Sequence, residues 1–131
     1  MSRAATILLV DDDADFLAMN RSVLEAKGYR VLAFASPRDA AAAARRERPD
    51  LVVTDLMMND LDAGFSLARA VKEDPATART PVIIVTAASS QRGFDFRPRG
   101  PDELEAMRAD AFLDKPVSPA ALLAKIEELL R

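Results

Sequence analysis

The sequence predicts a doubly wound α/β domain built on a five-stranded parallel sheet. Three observations carry that expectation. Runs such as Ile7-Leu8-Leu9-Val10 and Val82-Ile83-Ile84-Val85 are continuously apolar rather than alternating, which is how strands covered on both faces read. Segments with apolar residues at helical spacing lie between the runs. Strand and helix therefore alternate, and such alternation places crossover helices on both faces of a parallel sheet.

The elements follow in order. Ile7 to Val10 is the first strand, and Asp11, Asp12 and Asp13 come directly after it. Phe16, Met19, Val23 and Leu24 mark the first helix. Asp13 is suited to its N-terminus and Gly28 is placed to end it. Tyr29 to Phe34 is the second strand. Ser36-Pro37-Arg38-Asp39 opens the second helix, with Ser36 as N-cap and Pro37 in the first turn, and the alanines from Ala40 to Ala44 extend it as strong helix formers. Leu51-Val52-Val53 is the third strand, and Phe65, Ala68 and Val71 mark the third helix.

After the fourth strand, Val82 to Val85, comes an elongated connection. Gly93, Pro98, Gly100 and Pro101 break any continuous helix there, so a helix is expected only from about Asp102 to Arg108. The weaker run Ala111-Phe112-Leu113 is the fifth strand. Ser118-Pro119 repeats the cap signal for a last helix that ends at Leu130, with Leu122, Ile126 and Leu129 on its core side. A single domain over 1–131, without an output domain, is expected from this length and the lack of any linker or repeat.

Composition excludes several functions. Among 131 residues, half are hydrophobic and 30% charged, the balance of an ordinary globular domain. A net charge of −3 argues against direct nucleic-acid binding and against anionic membranes. The chain has no cysteine and no histidine. That removes disulfides, thiol chemistry, the commonest general base and most zinc sites. The first apolar run is too short for a signal peptide, and no run approaches the ~20 residues that span a bilayer. A cytoplasmic location without membrane contact is the expectation.

In doubly wound folds ligands bind beyond the carboxyl ends of the strands, where strand order reverses. Those ends carry Asp11 to Asp13 after the first strand, Asp55 after the third, Thr86 after the fourth, and Lys115 with Pro116 after the fifth. Carboxylate oxygens suit Mg²⁺, a hard ion that takes few protein carboxylates directly. Crowded carboxylates repel one another, so an ion or the Lys115 charge must compensate. A carboxylate can accept a phosphoryl group once a metal neutralises the charges, and Thr86 and Lys115 can hydrogen-bond the new phosphoryl oxygens.

The stretches ILLVDDD, PDLVVTDLMM, PVIIVTA and FLDKP, in this order and over nearly the whole chain, resemble the receiver domains of two-component response regulators, the chemotaxis type among them. The resemblance implies a flavodoxin-like (βα)5 fold. It implies that Asp55 is the phosphoacceptor and that Mg²⁺ is held by Asp11, Asp12, Asp55 and the backbone carbonyl of Met57, with Asp11 acting through water. It makes Thr86 the switch hydroxyl, Lys115 the phosphoryl-binding lysine and Phe112 the aromatic that moves on activation. The Lys115–Pro116 bond would be cis, suiting a tight turn. The implied function is a phosphorylation-activated switch, not an enzyme in the ordinary sense, that assists its own phosphorylation and dephosphorylation. Its implied partners are a histidine kinase or phosphotransfer protein and a downstream protein, with a weak or phosphorylation-dependent dimer allowed.

Three other readings compete. A calcium loop beginning at Asp11 fails because Phe16 and Ser22 stand where glycine and glutamate are needed. An aspartyl-nucleophile phosphatase of the haloacid dehalogenase type would leave Asp55 without a role. A pseudo-receiver, the same fold used as an unphosphorylated protein-binding module, is the serious alternative, and the complete set of acidic, hydroxyl and lysine residues argues against it.

The chain also departs from the family. Asn59 stands where a proline is usual, Ala63 is inserted before Gly64, and the interval from Thr86 to Lys115 is longer than usual. Within that interval, residues 89–105 carry Phe94 and Phe96 with Arg92, Arg97 and Arg99. Aromatics with arginine are what interface hot spots favour, so this segment is expected to pack through one Phe and offer the rest as a phosphorylation-dependent docking surface; the alternatives are a plain surface loop and a segment that packs both rings and blocks the usual dimer contact.

Overall fold

The apolar run at the start of the chain becomes an inner strand of the sheet. In the computed structural model, which describes residues 4–55, 63–86, 109–114 and 117–130, β1 (Thr6–Val10) lies between β2 (Arg30–Phe34) and β3 (Leu51–Thr54). β4 (Val82–Thr86) and β5 (Ala111–Asp114) complete the order β2-β1-β3-β4-β5, and every pairing is parallel. The described helices are α1 (Ala14–Ala26), α2 (Pro37–Glu47), α3 (Ala63–Glu73) and α4 (Pro119–Leu130). This is the expected fold class.

Successive strand side chains point to opposite faces, so each inner strand feeds two cores. Leu8, Val10, Val52 and Ile84 pack with Ala40, Ala43 and Ala44 of α2 and Leu67, Ala68 and Val71 of α3. Ile7, Leu9, Val53, Ile83 and Val85 pack with Phe16 and Leu24 of α1 and Leu122, Leu123 and Ile126 of α4. Burial on both faces is why these runs are continuously apolar.

Local signals set the helix ends. The Asp13 carboxylate caps α1 by accepting from the N–H groups of Asp15 and Phe16, and Gly28 follows the helix at φ +94. The Ser36 hydroxyl accepts from the N–H of Asp39 at the start of α2, and Ser118 accepts from that of Ala121 in α4. At the opposite pole from the strand C-termini, Lys72 donates to the carbonyl of Thr80 and to Asp110, both at 2.8 Å. The same Asp110 oxygen accepts from the N–H of Val82. That cluster ties α3 to the entries of β4 and β5.

The structure also differs from expectation. On α1 the core side is Phe16, Asn20 and Leu24, while Met19 is 49% exposed. Asn20 lies four residues from both Phe16 and Leu24 and so shares their stripe. Its amide is accommodated there by donating to the Phe16 carbonyl at 2.9 Å. On α4, Leu123 is buried and Leu129 only half-buried. The strands are shifted slightly: β2 starts at Arg30, while β3, β4 and β5 extend to Thr54, Thr86 and Asp114. Ala63 and Gly64 belong to the first turn of α3. The helix expected near 102–108, with the whole of 89–105, lies outside the described residues. Among the described residues no helix is long and apolar enough to cross a membrane.

Candidate metal centre

β1 and β3 run in register from Ile7↔Leu51 to Val10↔Thr54 and stop together. The next residue on each strand is an aspartate. The chain stays pinned for that one extra step, because the N–H of Asp55 donates to the Val10 carbonyl at 3.0 Å and the N–H of Asp11 donates to the Phe34 carbonyl at 3.1 Å. Strand order reverses between β1 and β3, which is where such folds form a crevice.

Asp11, Asp12 and Asp55 meet in that crevice, with one carboxylate oxygen from each within 4.8 Å of the others. Asp11 is fully buried, Asp55 is 6% exposed, and Asp12 faces solvent. The N–H of Asp13 donates to the Asp11 carboxylate at 2.8 Å, so the residue that caps α1 also orients Asp11. The hydroxyl of Thr54, itself fully buried, donates to the Asp55 carbonyl at 3.1 Å.

Three converging carboxylates, two of them withdrawn from water, need a compensating positive charge. An all-oxygen donor set, in a chain without histidine or cysteine, selects a hard cation, and Mg²⁺ fits it. Of the other expected site residues, Thr86 ends β4 on the same side of the sheet, although its side chain is outside what is described. Phe112 lies half-buried on β5 against the core formed with α2 and α3. Met57, Lys115 and Pro116 lie outside the described residues, as does Asn59. Two supporting contacts go beyond the sequence expectation: Asp13 orients Asp11 as well as capping α1, and Thr54, whose position as the one polar residue of β3 is the sequence signal for it, bonds the Asp55 carbonyl.

A parallel doubly wound sheet with a carboxylate pocket at its β1/β3 switch point defines an acidic-pocket α/β domain. The chain belongs to the response regulator receiver domain family, whose model matches residues 7–127. It is 33% identical over 130 residues to the response regulator PleD of Caulobacter vibrioides, covering 98% of this chain and 26% of PleD. It is 34% identical to the protein PilH of Pseudomonas aeruginosa, covering 96% of this chain and 98% of PilH. The chain thus spans about a quarter of PleD, and 52% of the PhoB regulator of Pseudomonas aeruginosa that it also resembles.

Among solved structures, the chemotaxis response regulator CheY4 of Vibrio cholerae superposes with a TM-score of 0.82 at 28% identity, over 97% of this chain and 99% of that one. The receiver domain of the sensor histidine kinase PA1611 of Pseudomonas aeruginosa superposes with a TM-score of 0.79 at 26% identity, over 98% of each chain, and holds a magnesium ion in its active-site cleft. Receiver domains are signalling phosphoacceptor modules rather than typical enzymes. They bind Mg²⁺ at an acidic pocket and interact with histidine kinases or phosphotransfer proteins and with downstream partners.

Proposed function

We propose that this chain is a phosphorylation-activated switch that accepts a phosphoryl group on Asp55 and signals through protein partners. The convergence of Asp11, Asp12 and Asp55 carries the reading, because two of these carboxylates are buried beside each other. The donor is a phosphohistidine of a kinase or phosphotransfer protein. The P–N bond breaks with its electron pair staying on the imidazole, and a P–O bond forms to the Asp55 carboxylate. Asp11, Asp12, Asp55 and the Met57 carbonyl would hold Mg²⁺, which when bound neutralises the carboxylates and the incoming phosphoryl oxygens. Thr86 and Lys115 bind those oxygens, and the displaced Thr86 side chain makes room for Phe112. The Lys115–Pro116 peptide is proposed to be cis.

Output through a partner, in the cytoplasm, is part of the same proposal. A phosphorylation-dependent dimer and docking through residues 89–105 remain proposals of the same kind.

Intact-mass spectrometry after incubation with acetyl phosphate and Mg²⁺ tests the assignment. One added phosphoryl group is expected on the wild type and none on Asp55→Asn. Equal labelling of both would overturn Asp55 as the acceptor, and no labelling of the wild type would favour the pseudo-receiver.

A further inference from the structure

Thr54 is fully buried on β3, immediately before Asp55. By strand alternation it continues the face of Val52, which packs in the core with α2 and α3. A hydroxyl is costly in such a place unless it is hydrogen-bonded, and valine has the same shape without that cost. Packing alone therefore gives no reason for a threonine here. Its hydrogen bond goes to no neighbouring strand or helix. It goes to the carbonyl of the next residue, Asp55, at 3.1 Å.

That bond completes a clamp. The N–H of Asp55 is already held by the Val10 carbonyl at 3.0 Å. Pinning the Asp55 carbonyl as well sets the plane of the peptide leading out of the residue, and so fixes how the carboxylate sits against the chain that follows. We infer that Thr54 is a positioning residue: its hydroxyl holds the Asp55 backbone in the orientation that lets the carboxylate bind metal and accept a phosphoryl group. The inference rests on the reading of Asp55 as phosphoacceptor. Reactions of this kind are sensitive to displacements of about 1 Å, and outer-shell groups that orient ligands commonly change affinity or activity by about tenfold or more.

The test separates hydroxyl from methyl. Thr54→Val keeps the shape and removes the hydroxyl, whereas Thr54→Ser keeps the hydroxyl and leaves a methyl-sized void. Thr54→Val should be labelled by acetyl phosphate about tenfold more slowly than wild type and bind Mg²⁺ more weakly by NMR titration of the Asp55 amide. Its urea midpoint should be little changed. Thr54→Ser should be labelled within about twofold of wild type while its urea midpoint falls.

A merely structural threonine would make labelling and Mg²⁺ binding follow the urea midpoint across the three proteins, and that pattern overturns the inference. So does wild-type behaviour of Thr54→Val on a wild type that is labelled. If the wild type is not labelled, the phosphoacceptor reading fails separately, and the Mg²⁺ titration still decides: equal affinity in wild type and Thr54→Val overturns the positioning role. A wild type that takes neither phosphoryl group nor Mg²⁺ overturns both.

Discussion

The N–H of Asp13 donates to the carboxylate of Asp11 at 2.8 Å, while the Asp13 carboxylate accepts from the N–H groups of Asp15 and Phe16. One residue thus starts a helix and orients a buried site carboxylate. Asp13→Ala should cost about 1 kcal/mol of stability, the usual worth of an N-cap, and should also weaken Mg²⁺ binding. Asp13→Asn, an equally good cap, should restore both. Urea unfolding and Mg²⁺ titration on the three proteins check this, and a full-affinity alanine variant would separate the cap from the site.

The carboxylate pocket makes stability depend on metal. A ligand that binds only the folded state stabilises it by about 1.4 kcal/mol at ten times its Kd. Thermal unfolding of the wild type should therefore shift upward with Mg²⁺. The shift should be lost in Asp12→Ala and reduced less in Asp11→Ala. A shift that survives in Asp12→Ala would move the metal elsewhere.

The Lys72–Asp110 pair offers a contrast between charge and backbone satisfaction. Asp110 is 38% exposed, so the ion pair itself contributes at most about 1 kcal/mol. The Asp110 carboxylate also accepts from the N–H of Val82 at the mouth of β4. Asp110→Ala leaves that donor and the Lys72 ammonium without the carboxylate and should cost about 1–3 kcal/mol, more than Lys72→Met. Equal losses in chemical denaturation would assign the whole effect to the ion pair.

Arg48 closes α2 in the left-handed region, at φ 48. That conformation costs an L-residue about 1–2 kcal/mol, partly offset in glycine by its freer unfolded chain. Arg48→Gly should therefore stabilise the domain by about 0.5–1 kcal/mol, read as a higher urea midpoint at unchanged slope.

Tyr29 is the sole tyrosine in a chain without tryptophan, which makes it a clean ultraviolet probe. Burial, and then the negative charge of Glu127, push its phenol above the ordinary tyrosine value. The folded state holds the proton more tightly than the unfolded state, so the associated stability is complete below the unfolded pKa and is lost as pH rises through the folded one. Tyrosinate absorbance should rise at higher pH in the folded protein than in urea, and Glu127→Gln should narrow the gap. Coincident titrations in the two states would contradict this.

Legibility in the sequence differs between the site carboxylates and the buried face of α1. Asp11, Asp12 and Asp55 could be named in advance because they directly follow apolar runs that a parallel sheet must bury, and the ends of such strands face the crevice. Asn20 could not, since its neighbour Met19 was the more apolar choice and only the angular position relative to Phe16 and Leu24 put the amide inside.

By itself the sequence determined what is local. Apolar period set the strands and helices, Asp13, Ser36 and Ser118 set helix starts, and Gly28 followed the end of α1. Tertiary structure decided what depends on neighbours in space. The pairing of β1 with β3 in one register brought Asp11 beside Asp55 across 44 positions of chain. Packing of α3 against the entry of β5 likewise joined Lys72 to Asp110, 38 positions along the chain. Propensity and capping act over one or two turns of chain, whereas a hydrogen-bond partner is chosen by which strands lie side by side and in what register.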